Sequence, residues 1–139
     1  MKTLVLYHSY SGNTKTIATE LAEKESAEIV EIKNVKRPRK LKAFTAGIVA
    51  SIRGKAWKIQ PLEVDFAEYE RLILLSPVWA GNPTPAFNAL LELIPEGKSV
   101  EIKMVSGSGE SECKEKLEAK ITGKGSALTS FEDIKAARK

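Results

Sequence analysis

Short apolar runs alternate with stretches of helical period from one end of the chain to the other. The apolar runs predict strands over 3–8, 27–32, 71–76, 99–106 and 127–131. The third, with Leu72-Ile73-Leu74-Leu75 at its centre, reads as a strand covered on both faces. The fourth differs: Val100, Ile102 and Met104 alternate with Glu101 and Lys103, which predicts one buried and one wetted face. Between the strands, Ile17, Ala18 and Leu21 define a helix over 13–25, while Leu41, Phe44, Ile48 and Ile52 fall in register for a second over 41–53. Pro85 suits the first turn of a third helix, which opens near Thr84, carries Phe87, Leu90, Leu91 and Ile94, and stops at Pro95. A fourth covers 111–121.

This βαβα order specifies a parallel sheet with helices on its faces, and right-handed crossovers leave few topologies open. The expected architecture is an α/β three-layer sandwich around a five-stranded parallel sheet in order 2-1-3-4-5. Only eight residues follow Phe131, so a closing helix is short or absent, and one sheet face near strands four and five is partly bare. In such sheets ligands lie beyond the carboxyl ends of the strands, where the residues around Ser9, Pro77 and Ser106 converge.

A chain of 139 residues suits a single domain, 1–139, with one core. It has no apolar run long enough to span a bilayer, and Met1-Lys2 leads straight into the first strand, so a soluble cytoplasmic protein is expected. A single cysteine, Cys113, excludes an intrachain disulfide, and one His with one Cys argues against a dedicated zinc site. The net charge of +4 conceals a segregation. Nine bases (Lys33, Lys36, Arg37, Arg39, Lys40, Lys42, Arg53, Lys55 and Lys58) lie between 33 and 58 with no acid among them, leaving 13 of the 22 bases against all 18 acids.

The densest chemistry follows the first strand. Ser9-Tyr10-Ser11-Gly12-Asn13-Thr14 is a hydroxyl-rich turn running directly into a helix. Gly12 lets the backbone curl, and the first helical amides have no carbonyl partners of their own, so they can bind phosphate oxygens. With no Lys or Arg before Lys15, oriented dipoles and hydroxyls would do the holding, which suits a terminal phosphomonoester. The loop has neither the spacing of a Walker A sequence nor the three glycines of a dinucleotide fingerprint. Instead it resembles the T/S-x-T/S-G-x-T phosphate loop of the flavodoxin family, whose ligand is flavin mononucleotide (FMN), and the expected architecture is then the flavodoxin-like one.

After the third strand comes Pro77-Val78-Trp79-Ala80-Gly81-Asn82-Pro83, similar to the P-x-W-x-G-x-P segment of the same family. The resemblance implies that Trp79 packs on the isoalloxazine ring and that the Ala80 and Gly81 peptides meet its N5 edge. Ser106-Gly107-Ser108-Gly109, after the fourth strand, would then bring backbone amides to the pyrimidine edge. The resemblance extends from residue 3 to about 121. One departure stands out: no aromatic occurs between Ser106 and Ile121, where flavodoxins usually carry a second ring, so either Tyr10 or Trp57 substitutes or one flavin face stays open to a hydride donor or small acceptor. His8 and Cys113 are expected to be structural.

The resemblance implies an electron-transfer protein with FMN as cofactor, no catalytic side chain and no metal. Its partner would be a redox protein or a small-molecule donor or acceptor. An FMN-dependent NAD(P)H oxidoreductase acting on a quinone or similar acceptor is the alternative favoured by the missing aromatic. A cofactor-free interaction module on the same fold is the third reading. The bases of 33–42 follow strand two, so they are expected to meet an anionic partner near the flavin edge. Among partners nucleic acid ranks last and a membrane is not expected. A monomer or weak dimer is expected.

Overall fold

The computed structural model describes residues 2–35 and 43–136. Five long strands form one parallel sheet: β1 (Thr3–Tyr7), β2 (Glu28–Glu31), β3 (Arg71–Trp79), β5 (Ser99–Ser106) and β6 (Ala127–Lys135). A two-residue strand, β4 (Asn82–Pro83), folds back antiparallel on the end of β3. The sheet order is β2-β1-β3-β5-β6, so the five long strands follow the expected 2-1-3-4-5 sequence and the β3–β4 hairpin is the addition. The helices are α1 (Asn13–Glu25), α2 (Ile48–Ile52, entered through a π-helical turn at Ala43–Gly47), α3 (Pro85–Leu93) and α4 (Lys114–Gly123).

The alternation of strand side chains creates two cores. Leu4, Leu6, Leu72, Leu74, Val100, Ile102 and Met104 point to the face covered by α3 and α4, through Phe87, Leu90, Leu91, Leu117 and Ile121. Val5, Tyr7, Ile73 and Leu75 point the other way and meet Ala18 and Ala22 of α1. These layers make the fold a flavodoxin-like α/β sandwich. On the α1 face β5 presents Glu101 and Lys103 before its buried Val105. There Arg71 bonds Glu25 at 2.9 Å and also Glu101, while Lys103 reaches Glu132 at 3.7 Å, so charges take the place of a covering helix. No helix follows α4 among the described residues.

Three expectations need correcting. The third strand runs three residues beyond 76, through Pro77 to Trp79. The β1 ladder ends at Tyr7 and Leu75, so Pro77 lies where β3 retains only β5 as a long partner, and a missing N–H is tolerated. The last strand continues to Lys135 rather than 131. A bulge hides its period: Val100 pairs with Leu128 but Glu101 with Ser130, so Thr129 is extra, and Leu128 and Phe131 reach the same core at a spacing that breaks simple alternation.

The second helix has the expected period and the opposite phase. Gly47, Ala50 and Ser51 are buried, whereas Val49 and Ile52 are about half exposed at 48% and 53%. Small residues face inward because this segment packs closely on the end of β3, at Trp79. Residues 41 and 42 lie outside the described part.

Candidate functional site

Three loops meet at the carboxyl edge of the sheet. In the first, Gly12 adopts φ 102°, a left-handed value that opens α1, and the space beyond its missing Cβ is empty. Ser9 Oγ accepts from the Gly12 amide at 3.1 Å and the Lys15 amide at 3.3 Å. The backbone ladder of α1 starts with Thr16 N–H donating to Gly12 C=O at 3.1 Å, which leaves the Asn13 and Thr14 amides ahead of it. No acid occupies the first turn, so the positive end of the helix dipole is not neutralised there. Ser11 is exposed, Gly12 and Asn13 are half-buried, and Thr14 is buried.

The second loop is the β3–β4 hairpin. Trp79 pairs with Asn82 across a two-residue turn in which Ala80 (φ 51°) and Gly81 (φ 80°) are both left-handed, as a type I′ turn requires. A side-chain network fixes it. Asn82 Nδ2 donates to the Ala80 carbonyl at 3.0 Å, and Lys116 Nζ donates to Asn82 Oδ1 at 3.2 Å. The third loop joins β5 to α4. Ser106 Oγ accepts from the Gly109 amide at 2.9 Å and the Glu110 amide at 3.2 Å, and Ser108 Oγ also accepts from Glu110 at 3.2 Å, so Ser106 and Ser108 organise the turn from within. Gly107 is exposed, and Gly109 lies against Lys135 of β6.

Contacts join the loops. Tyr10 of the first meets Trp79 of the second edge-to-face, with centroids 5.7 Å apart, and Glu112 of the third donates its amide to the Gly81 carbonyl at 2.8 Å. Pro77 and Val78 lead β3 into this junction, both partly buried. Beneath it lies a buried polar cluster that sequence reasoning missed. Thr84 Oγ1 caps α3 by accepting from the Phe87 amide at 3.4 Å, stands 2.7 Å from His8 Nδ1, and contacts Ser76 Oγ at 3.4 Å. All three residues are buried. Ser/Thr preceding Pro at a helix start was a readable cap signal, but its pairing with a histidine 76 positions away was not.

Trp57, named with Tyr10 as a possible substitute for the missing second aromatic, also reaches this junction. It meets Trp79 at 6.4 Å between centroids, and Gly47 touches both rings: a Cβ there would stand 2.6 Å from Trp79 Cζ3 and 3.2 Å from Trp57 Cη2. The aromatic group is therefore Tyr10, Trp79 and Trp57, the last two both reaching Gly47. A cavity of about 270 Å³ opens on the β2 side of the first loop, lined by Ser9, Tyr10, Glu31, Lys33, Asn34 and Gln60 among others. Of the basic positions expected to face a partner, Lys33 is exposed; 36–42 lie outside the described residues.

Cys113 is fully buried beneath α4, and burial pushes its thiol up, away from reactivity. Tyr7 is pushed up to about 12, first by burial and then by the Glu31 carboxylate to which its hydroxyl donates. Among the described residues no cluster of three or more His, Cys, Asp or Glu could hold a metal ion, and no helix is long and apolar enough to cross a membrane.

No protein-family model and no curated protein matches the sequence. Solved structures do. A flavoprotein from Lactobacillus acidophilus NCFM, crystallised in complex with FMN, superposes with a TM-score of 0.76 at 23% identity, covering 94% of this chain and 91% of its own. The apo form of the flavoprotein from that organism, solved by NMR, gives 0.70 at 22% identity over 95% and 92%. Two-electron reduced Megasphaera elsdenii flavodoxin gives 0.60 at 16% identity over 95% and 87%. Across nearly its whole length, then, this chain is folded as flavodoxins and related flavoproteins are.

Proposed function

We propose that the chain is an FMN-binding electron-transfer protein, working as a single cytoplasmic domain and as a monomer or weak dimer. The observation that carries this reading is the junction of two loops at one sheet edge: a helix start whose Asn13 and Thr14 amides precede the backbone ladder and whose first turn holds no acid, and an indole in contact with it through Tyr10. The neighbours' flavin chemistry and the shared fold support it. In this reading the amides of Asn13 and Thr14, with the hydroxyls of Ser11 and Thr14, hold the phosphate. Trp79 flanks the ring, the Ala80–Gly81 turn meets one edge of it, and the Ser106–Gly109 loop meets another. Bound FMN supplies the electron chemistry; the chain supplies orientation, exclusion of water and the field around the ring.

Comparative titration tests it. Riboflavin lacks the phosphate, and losing two charge-assisted hydrogen bonds at roughly 1.5–3 kcal/mol each should weaken binding at least about a hundredfold. Equal affinities by fluorescence quenching would remove the phosphate-loop assignment. The lack of an aromatic in the β5–α4 loop keeps a second reading open, an FMN-dependent NAD(P)H oxidoreductase. Steady-state NAD(P)H oxidation by the loaded protein separates it from a pure carrier.

A further inference from the structure

The segment that carries Trp57 is held at both ends by hydrogen bonds to different elements. Asn88 Nδ2 of α3 donates to the Lys55 carbonyl at 3.0 Å, and Trp57 N–H donates to the Pro85 carbonyl at 3.2 Å. Further along, Val35 N–H donates to the Lys58 carbonyl at 3.1 Å and Gln60 N–H to the Lys33 carbonyl at 2.8 Å. The chain from 53 to 60 is thus a strap running from the start of α3 to the segment after β2. Its backbone is fixed while Arg53, Lys55 and Lys58 stand exposed along it, with exposed Lys33 beside its far end. Two acids at this edge have partners of their own. Glu31 accepts from Tyr7, and Glu112 packs on Gly81.

We propose that this strap is the docking surface for an acidic protein, with Trp57 as its central anchor. The inference rests on the FMN reading for its redox purpose, though not for the binding itself. Charge and position carry it. Arg53, Lys55 and Lys58 stand exposed along the segment that carries the half-buried Trp57, Lys33 stands exposed beside its far end, and no acid occurs at positions 33–58. An aromatic anchor inside a charged rim is how binding energy and steering divide at protein interfaces. Trp57 contacts Trp79, so a partner seated on the strap sits against the proposed ring site rather than at a distant face. The anchored backbone means that little ordering entropy is lost on docking. A strap placed only to cover the core would need none of these charges.

The test uses two one-electron acceptors of opposite surface charge, acidic plastocyanin and basic cytochrome c, mixed anaerobically with the reduced, FMN-loaded chain. One electron leaves the reduced flavin for each copper(II) or iron(III) reduced. At low ionic strength plastocyanin should react faster by about tenfold or more, and the preference should collapse as salt rises. The Arg53→Glu/Lys55→Glu/Lys58→Glu variant should reverse the order. A control with the same change in net charge, Lys24→Glu/Lys114→Glu/Lys120→Glu, should keep it. An unreversed order in the strap variant, or reversal in both, overturns the proposal.

The flavin spectrum recorded before mixing shows whether FMN is bound, so failure of the redox reading is seen separately. In that event calorimetric titration of plastocyanin into the FMN-free chain decides the docking: binding lost only in the strap variant sustains it, and no binding overturns it. Tighter strap-dependent binding of duplex DNA than of plastocyanin would also overturn it, in favour of nucleic acid. Thermal denaturation of both triple variants identifies one that has not folded. The Arg53→Gln/Lys55→Gln/Lys58→Gln variant then carries the comparison, with loss of the preference as the expected result and an unchanged preference overturning the proposal.

Discussion

Gly47→Ala isolates the contact on which the aromatic group is built. Gly47 has helical torsions (φ −66°, ψ −44°), so alanine meets no backbone objection there and gains about 0.8–1 kcal/mol of helix propensity. Sterics act in the opposite direction. The new Cβ would lie 2.6 Å from Trp79 Cζ3, 3.1 Å from Cε3 and 3.2 Å from Trp57 Cη2, against an ordinary carbon contact of about 3.5–4 Å. Relief requires a shift of about 1 Å at the Trp79 ring and a few tenths of an ångström at Trp57. Neither is a flexible chain end: Trp79 lies in the β3–β4 hairpin, and the Trp57 backbone is bonded to Pro85.

Overpacking of this kind costs roughly 1–3 kcal/mol, so the net change in stability should run from about zero to 2 kcal/mol of loss. The larger effect should be on the ligand. If Trp79 gives way, it leaves its edge-to-face contact with Tyr10 and the ring site is no longer preformed, which should weaken FMN by roughly 1–2 kcal/mol, about five- to thirtyfold. Urea unfolding supplies the first quantity, and titration of flavin fluorescence the second. A Gly47→Ala protein that is more stable than wild type and binds FMN with unchanged affinity would refute the reasoning. Helix propensity would then have won, and the Trp79 contact would not govern the site.

Paired substitutions in the hairpin should act with opposite signs. Ala80→Gly relieves a left-handed alanine and should be neutral or slightly stabilising, whereas Gly81→Ala should lose about 1–2 kcal/mol, because Gly81 holds φ 80° and faces Glu112 at 3.1 Å; equal urea midpoints would contradict the turn assignment. Thr84→Ala removes the α3 cap and leaves His8 and Ser76 without their shared partner, so it should cost about 2–4 kcal/mol, while Thr84→Ser should restore most of it in the same unfolding assay. Tyr7 and Tyr69 are both pushed up to about 12, Tyr7 chiefly by burial and Tyr69 chiefly by its bond to Glu28. Unfolded tyrosine titrates near 10, so the folded state keeps protons that the unfolded chain releases, and their stabilisation is intact below about pH 10 and lost as pH rises toward 12. Tyr7→Phe should flatten the fall in urea midpoint across that window, and an unchanged slope would show that Tyr7 does not cause it.

How far the sequence could be read depended on whether the signal was local. The α1 boundaries, 13–25, came directly from a turn feeding a helical period, and Pro85 marked the first residue of α3, because those signals are written within a few neighbouring residues. The second helix was phased wrongly for the opposite reason. Of its apolar stripe, Ile48 is only half-buried and Ile52 is exposed; the fully buried face is Gly47, Ala50 and Ser51, and the room at Gly47 is taken by an indole 32 positions later. Periodicity rewards large apolar residues, so it cannot see a face built for close approach. The same limit applied to β6, where one extra residue at Thr129 moves Leu128 and Phe131 onto a single core and erases the alternation that would have extended the strand to Lys135. The motifs of the candidate site fared differently. Ser9–Thr14 and the turn at Ala80–Gly81 were legible because each needs its glycine, at 12 and at 81, for a left-handed turn, whereas Pro77–Trp79 belongs to β3 rather than to the loop. Trp57 was nameable as a candidate aromatic, but its place was not legible. Trp57 stands in a basic segment that looks like a solvated surface, and only the fold, by crossing from β2 to α3, brings that charge and that ring to the edge where the two loops meet.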